Sequence, residues 1–581
     1  MQEKLYEKRY WKLLLHFDGG KSEIDDNSFF LSPQGHTSPK AELLATLHSL
    51  YQGTSFDDNA TACRYPARTH WLQEQLHLNA LPKTECREYN KVLKRVDPRS
   101  VTLVFPSAHI NSPASMFGHT FIRINSSYDS KLLAYAINYA ADADPDKENA
   151  ITFALKGVLG GYAGLYSLLP YYDKLKEYRD TENRDIWEYD LNLTQEETLR
   201  MFEHIWEIKD VHASYYFFTD NCSYEMLWLI EAARPSVHLR ERFLFAVIPL
   251  ESVHAAKEEG LLEKASFRPS KRTKIEAYRD VLSYKAIQLA KQLARGETKP
   301  KELLDSSFDD DTKRYTLEVA TELTQYYYQK RELDKEHYLD IFHTLTSARA
   351  KLGKTKKVTP KQPPNPLEGH RANRISLALQ SIDKVKAIYF GFRPAYHSLG
   401  DPLYGFLRGT QIEFLNFSLY ATKEKLHIDE ATILSIESIA QTDSFFNNLA
   451  WRMNIGWNRD YLDTKSRFNL SVGAGISFGN DFGYIYAMAD PLVYKTDRFI
   501  SGIGTNAGFV IDSYQKYGNT KTEYSHRWYD NGKEQDIVSF VQTFRLQQNL
   551  ALKLRFDYHQ RERNDKHANE QLYSVGLGYY F

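Results

Sequence analysis

No run in this 581-residue chain is long and apolar enough to cross a bilayer as a helix, and its mean hydropathy is negative. Together these exclude a bundle of transmembrane helices. A membrane β-barrel escapes the exclusion, because its alternating strands average out as polar. Net charge is missing as well. With 74 basic and 75 acidic residues the balance is −1, so nothing in it argues for nucleic acid as a partner. HExxH spacing, CxxC spacing and a phosphate-binding glycine loop are all absent, and neither a metal nor another cofactor is expected. The chain also opens without a leader, since residues 11–15 are too short for the apolar core of a signal peptide. That start fits a cytosolic protein, or a mature exported one with Met1 added.

Cysteine is scarce. Only Cys63, Cys86 and Cys222 occur, the first two 23 residues apart in one polar helical stretch. In an oxidising compartment they are the economical pair and Cys222 is the free thiol; in a reducing one all three are unrelated thiols.

Cys222 lies in the most distinctive stretch. The aromatic run Tyr215-Tyr216-Phe217-Phe218 has β character and stops at Thr219-Asp220-Asn221, residue types that cap helices. Apolar helical spacing follows as far as Ile230, which puts Cys222 in the first turn of a helix. Unpaired amides and the positive end of the dipole favour a thiolate there. A thiolate beside a base attacks esters and amides. The plainer reading of the same residue is a small buried hydrophobe.

Five regions follow from composition and period. Residues 1–98 read as mostly helical, with helices over 39–47 and 69–76, and show no chemistry. Residues 99–240 form an α+β core, with strands at 101–105, 119–124, 132–139 and 187–191 and the Cys222 helix packed on them. Within it the glycine-rich, uncharged stretch 157–172 is either buried strand and turn or an apolar surface at the mouth of a site for acyl chains. Residues 241–350 are helical and highly charged, and 351–369, with Gln362-Pro363-Pro364-Asn365-Pro366, is a linker.

From 370 to 581 the period becomes two. Phe468, Leu470, Val472, Ala474, Ile476 and Phe478 alternate with small or polar residues, as do Leu550, Leu552, Leu554, Phe556 and Tyr558. About twelve segments have the length and spacing of bilayer-crossing strands, although 410–440 shifts phase and 520–530 is weakly apolar. A soluble sandwich is the competing reading. Against it, Lys553, Arg555 and Asp557 all fall on the lumen side, and the terminal Phe581 resembles the assembly signal of bacterial outer-membrane barrels. The expected compartment is then the outer membrane, with the N-terminal half in the periplasm and a Cys63–Cys86 bridge.

A cysteine nucleophile needs a base, and the base an orienting group. His119 opens a strand directly after Gly118, and Asn138 on the next strand could fix its tautomer. His109 and Glu225 are weaker alternatives. His109 could line the site, and Glu225 reads as a first-turn helix acid. A lone strand histidine is also commonly structural.

Phe117-Gly118-His119 followed by Asp220-Asn221-Cys222-Ser223-Tyr224 resembles the circularly permuted NlpC/P60 (papain-like) superfamily, which includes lecithin:retinol acyltransferase-like enzymes. More closely, residues 112–121 with Tyr178-Arg179 and Trp187-Glu188-Tyr189 resemble the DUF4105 family, named Lnb for a lipoprotein N-acyltransferase of Gram-negative bacteria. The resemblance covers roughly residues 100–240. It implies a papain-like domain that moves an acyl chain from a phospholipid, through a Cys222 thioester, to the N-terminal amine of a lipoprotein. Cys222 would be the nucleophile, His119 the general base and acid, and Asn138 the orienting residue. His109, Ser115, Asn221, Ser223, Tyr178 and Arg179 would line the site. A peptidoglycan hydrolase would use the same Cys and His, and a barrel channel or assembly factor would use neither. No feature of the sequence sets an oligomeric state.

Overall fold

The computed structural model describes residues 4–581 except 53–57, 79–80, 83, 108–117, 129, 144–151, 153–155, 158, 244–245, 464, 515 and 564–565. The chain divides into two compact units, Met1–Ser270 and Lys271–Phe581.

The first unit is built on a seven-stranded antiparallel sheet. Its strands are β1 (Ser100–Pro106), β2 (Phe121–Asn125), β3 (Tyr135–Ala141), β4 (Tyr162–Pro170), β5 (Ile186–Leu191), β6 (His212–Tyr215) and β7 (Leu262–Arg268). The spatial order is β6-β4-β3-β2-β1-β5-β7. Successive residues of β1 and β2 are buried, so the central strands are covered on both faces. One cover joins Val104 and Phe121 to Tyr171, Leu175 and Tyr178. The other includes helix α1 (Gln195–Ile208), started by a Thr194/Glu197 capping box, and helix α2 (Cys222–Ala233). Every residue of α2 except Tyr224 is buried, as expected of a helix that is apolar all round. The N-terminal segment packs on it, and the Trp228 indole donates to the carbonyl of Leu13 (2.8 Å).

Local boundaries depart from the periodic reading where turns intervene. Residues 132 and 133, expected as strand, belong to a 3-10 turn (Lys131–Leu133) ahead of β3. β2 begins at Phe121 rather than at His119, and the aromatic run leaves strand geometry after Tyr215. The glycine-rich stretch supplies β4, whose Leu165 and Leu169 are exposed. Cys63 and Cys86 form a disulfide with a Cα–Cα distance of 5.1 Å. Closing a loop of that size contributes about 3 kcal/mol in the chain-entropy account.

The second unit opens with helices, among them Tyr284–Arg295, Asp310–Gln329 and Lys335–Ala350, whose apolar faces meet each other and Phe445 and Phe446. The unit boundary at Ser270 falls inside the stretch read as one helical region, because β7 completes the first sheet.

A closed antiparallel barrel follows, with twelve long strands among the described residues. The first, Arg374–Ile382, pairs with the last, Lys566–Tyr580, and with Val385–Arg393, which in turn pairs with Thr410–Ala421 to close the ring. A short strand, Ala395–His397, also joins Thr410–Ala421. The phase shift between 410 and 440 has a mechanical origin: the register slips between Ser418 and Leu419 and again between Thr432 and Leu434. Leu379, Ile388, Val472, Ile476, Ile485, Val575 and Leu577 are exposed, as lipid-facing residues should be. Inside, Arg555 pairs with Asp557 and Lys553 with Asp401 (3.4 Å).

The segment around Asp401 folds into the ring. Asn519 and Thr543, on two barrel strands, donate to the carbonyls of Leu399 (3.1 Å) and Gly400 (2.8 Å). Asp401 itself accepts from Arg374 (2.6 Å), Arg393 and Tyr580 (2.9 Å).

Candidate active site

Asn221 determines where α2 begins. Its Oδ1 accepts from the amides of Ser223 (2.9 Å) and Tyr224 (3.2 Å), while its Nδ2 donates to the carbonyls of Phe217 (3.0 Å) and Val247 (2.7 Å). Every donor and acceptor role of this side chain is thus used to hold Cys222 as the first helical residue. The thiol is only 5% exposed. Burial pushes its pKa up; bonds from the Thr120 amide, the Ser223 hydroxyl and the Tyr215 hydroxyl pull it down without prevailing. The resting group is a protonated thiol, so attack requires a base.

His119 reaches the same place from the sheet. Gly118 before it has φ +93°, and a Cβ there would lie 2.6 Å from the Phe105 ring, so the turn admits glycine alone. Thr120 after it stitches the two elements together. Its hydroxyl donates to Ser223 (2.8 Å) and its amide bonds the Cys222 sulfur, so the neighbours of His119 and Cys222 touch pair by pair. The imidazole keeps an edge open, yet desolvation lowers its pKa to about 3 and holds it neutral. Its Nε2 lies 2.8 Å from Asn138 Oδ1, which can only accept. The proton therefore sits on Nε2, and Nδ1 carries a free lone pair. Asn138 itself is buried on β3.

Two aromatic residues complete the surroundings. Tyr178 stacks on the imidazole with centroids 5.5 Å apart, and is held between Phe121 (5.7 Å) and the Arg184 guanidinium (5.1 Å). Tyr215 places its hydroxyl against both the amide and the sulfur of Cys222; burial raises its pKa far above the phenol range, so it stays a donor. Tyr215 was visible in the sequence only as part of an aromatic run, because nothing in that run marks which ring turns back toward the helix start.

The remaining expected residues fall in different places. Ser223 is buried between Thr120 and Cys222 (3.7 Å from the sulfur), and Asn221 is the cap. Arg179 pairs with its neighbour Asp180 (2.8 Å). Glu225 is buried and accepts from the Tyr166 hydroxyl. His109 and Ser115 lie outside the described residues. Two clusters among the described residues have metal-ligand geometry, His370/His397/Asp401 in the barrel and His16/Glu23/Glu225 in the first unit.

A helix-start cysteine, a neutral histidine and an orienting amide, carried on an α+β domain whose chain continues into a barrel with an apolar outer face, define a membrane-anchored thiol-site protein. Comparison with known families narrows this. Residues 88–259 match the Lnb N-terminal periplasmic domain. Residues 3–75, 265–361 and 363–575 match three domains of unknown function, DUF7843, DUF7842 and DUF7840. The match gives the first unit an Lnb-like periplasmic domain, and the chain is an outer-membrane protein with that N-terminal domain in the periplasm. No curated protein matches it. Among solved structures the NanC porin is similar at 8% identity, covering 36% of this chain and all of its own, with a TM-score of 0.25. The KdgM porin is similar at 8% over 36% of this chain and 99% of its own, with a TM-score of 0.23. OmpT, an outer membrane protein of Vibrio cholerae, is similar at 8% over 36% and 98%, with a TM-score of 0.19.

Proposed function

We propose that the first unit is a papain-like cysteine acyltransferase that takes a fatty acyl chain from a phospholipid and gives it to the N-terminal amine of a lipoprotein. The observation that carries this reading is the His119–Asn138 bond, which leaves Nδ1 as a lone-pair base on the residue before Thr120, whose amide bonds the sulfur of a capped helix-start cysteine.

In the first half-reaction Nδ1 of His119 takes the thiol proton and the sulfur attacks the ester carbonyl. The developing oxyanion is met by the Cys222 amide and the Tyr215 hydroxyl. The carbon–oxygen bond then breaks, His119 returns the proton to the departing lysophospholipid, and a thioester remains. In the second half the lipoprotein amine attacks the thioester, its proton passes to His119 and on to the sulfur, and an amide is released. Exposed Leu165 and Leu169 on β4, the strand paired with that of Asn138, offer apolar surface suited to acyl chains rather than to a polar glycan-peptide.

Mass spectrometry of the full-length protein incubated with phospholipid vesicles tests the proposal. An acyl adduct on Cys222 that is discharged by a diacylglyceryl-cysteine peptide is expected. A Cys222→Ala protein that still transfers acyl groups, or a wild type that cleaves peptidoglycan and takes no acyl chain, would overturn it.

A further inference from the structure

The helix that carries Cys222 meets, three residues later, a buried cluster that the acyl-transfer chemistry does not use. The hairpin formed by Phe17–Asp18 and Lys21–Ser22 brings residues 16 and 23 together, with the Glu23 amide donating to the His16 carbonyl (2.8 Å). His16 Nδ1 then lies 3.6 Å from Glu225 Oε2, and ligand atoms of His16, Glu23 and Glu225 all fall within 4.8 Å of one another.

The bonding around this cluster is incomplete in a particular way. His16 Nε2 is 3.0 Å from His204 Nε2, and His204 Nδ1 faces Glu207 at 3.9 Å. One of the two Nε2 atoms must donate; when it is that of His16, the lone pair of His16 Nδ1 turns toward a carboxylate, while His204 Nδ1 and Glu207 Oε2 stay without a hydrogen-bond partner. Lone pair facing carboxylate is repulsive unless a proton or a cation lies between them. Glu23 accepts from the Tyr224 hydroxyl on Oε1 (3.1 Å), but its Oε2 is buried with no partner, as is the hydroxyl of Tyr139 nearby on β3. Arg240, whose charge could serve here, is committed to Glu231 (3.2 Å), Asp18 (3.7 Å) and the Tyr224 hydroxyl (3.1 Å).

The barrel cluster His370/His397/Asp401 has the same close spacing of ligand atoms and a different electrostatic setting. Asp401 is already surrounded by Arg374, Arg393, Lys553 and Tyr580, which leave a cation nothing to neutralise.

We infer that His16 Nδ1, Glu23 and Glu225 form a binding site for one divalent cation of the zinc class, which ties the N-terminal hairpin to the helix bearing Cys222. One imidazole and two carboxylates are a donor set that zinc accepts, and the His204 ring bonded to Nε2 of the ligating histidine fixes its orientation, as second-shell partners of such ligands do. Motif spacing could not show this site, because its ligands come from positions 16, 23 and 225.

The test uses untagged full-length protein in detergent, stripped with a chelator and then titrated with Zn2+. One equivalent per chain by elemental analysis is expected, with a higher melting temperature than the stripped protein. X-ray absorption should show nitrogen and oxygen ligands without sulfur. Glu23→Gln should lose the bound zinc, and Cys222→Ser should keep it. Unaltered protein that retains no zinc and does not change its melting temperature would overturn the inference and leave a shared proton in the cluster. So would sulfur in the zinc shell, or one full equivalent retained by Glu23→Gln.

Discussion

The inner segment of the barrel and the Cys222 site use their buried polar groups in opposite ways. Inside the barrel opposite charges are paired at two places: Arg374 and Arg393 converge on Asp401, and Arg452 bonds both Asp490 and Glu523 (3.0 Å). In the periplasmic domain the key groups are held neutral and left with capacity to spare: a protonated thiol, an imidazole with a free Nδ1, and the unpartnered Oε2 of Glu23. Breaking a buried charge pair by removing one partner costs several kcal/mol, so the pairs hold geometry. An unsaturated group can accept a proton, an acyl carbon or a cation, and that is where chemistry belongs. The barrel's charges serve to hold an inner segment, and the domain's polar groups are available to react.

This contrast can be broken by substitution, taking the largest effects first. His119→Ala removes the base, and a loss of 10²- to 10⁴-fold in the rate of adduct formation on Cys222 is expected, with no change in the melting of the barrel. Asp401→Asn does the reverse. Two guanidiniums lose their shared carboxylate, which should cost roughly 3–5 kcal/mol of barrel stability, read by heat-modified gel mobility, while acyl adduct formation persists. Reducing Cys63–Cys86 should destabilise the periplasmic domain alone by about 3 kcal/mol, seen as a lower denaturation midpoint of that unit. Asn221→Ala should cost about 1–2 kcal/mol as a lost cap and slow adduct formation more than the stability loss explains, because the sulfur loses its fixed origin.

The pH dependence sharpens the same comparison. His119 has a folded pKa of about 3 against an ordinary 6.5. A depressed folded pKa contributes stability that is complete above 6.5 and is lost as the pH falls from there toward 3. Acid should therefore loosen the periplasmic domain within that window. His119→Gln should flatten the dependence there, as measured by the domain's melting temperature between pH 7 and 4.

Legibility followed the range of the interactions. The Cys222 helix start was readable because capping is local: Asn221 acts on residues two and three positions away. The barrel was readable because alternation repeats along each strand, and it faltered at 418 and 432, where bulges add a residue that no periodic count anticipates. His119 and Asn138 could be named from expected strand positions, but their hydrogen bond joins the segment ahead of β2 to β3 and needed the folded sheet to bring them together. Tyr178 was named only through the family resemblance, and Tyr215 and the inward segment at Asp401 lie beyond such reasoning, since each depends on which way a loop returns.

Period, capping and cysteine count were enough to divide the chain into an α+β domain with a free thiol and a disulfide-forming pair, and a barrel of about twelve strands, because these depend on residues close in sequence. Pairing Thr120 with Ser223, aiming Tyr215 at Cys222 and gathering His16, Glu23 and Glu225 required the folded chain. Those contacts span up to about 200 residues, and sheet order and packing choose among partners that local spacing leaves equivalent.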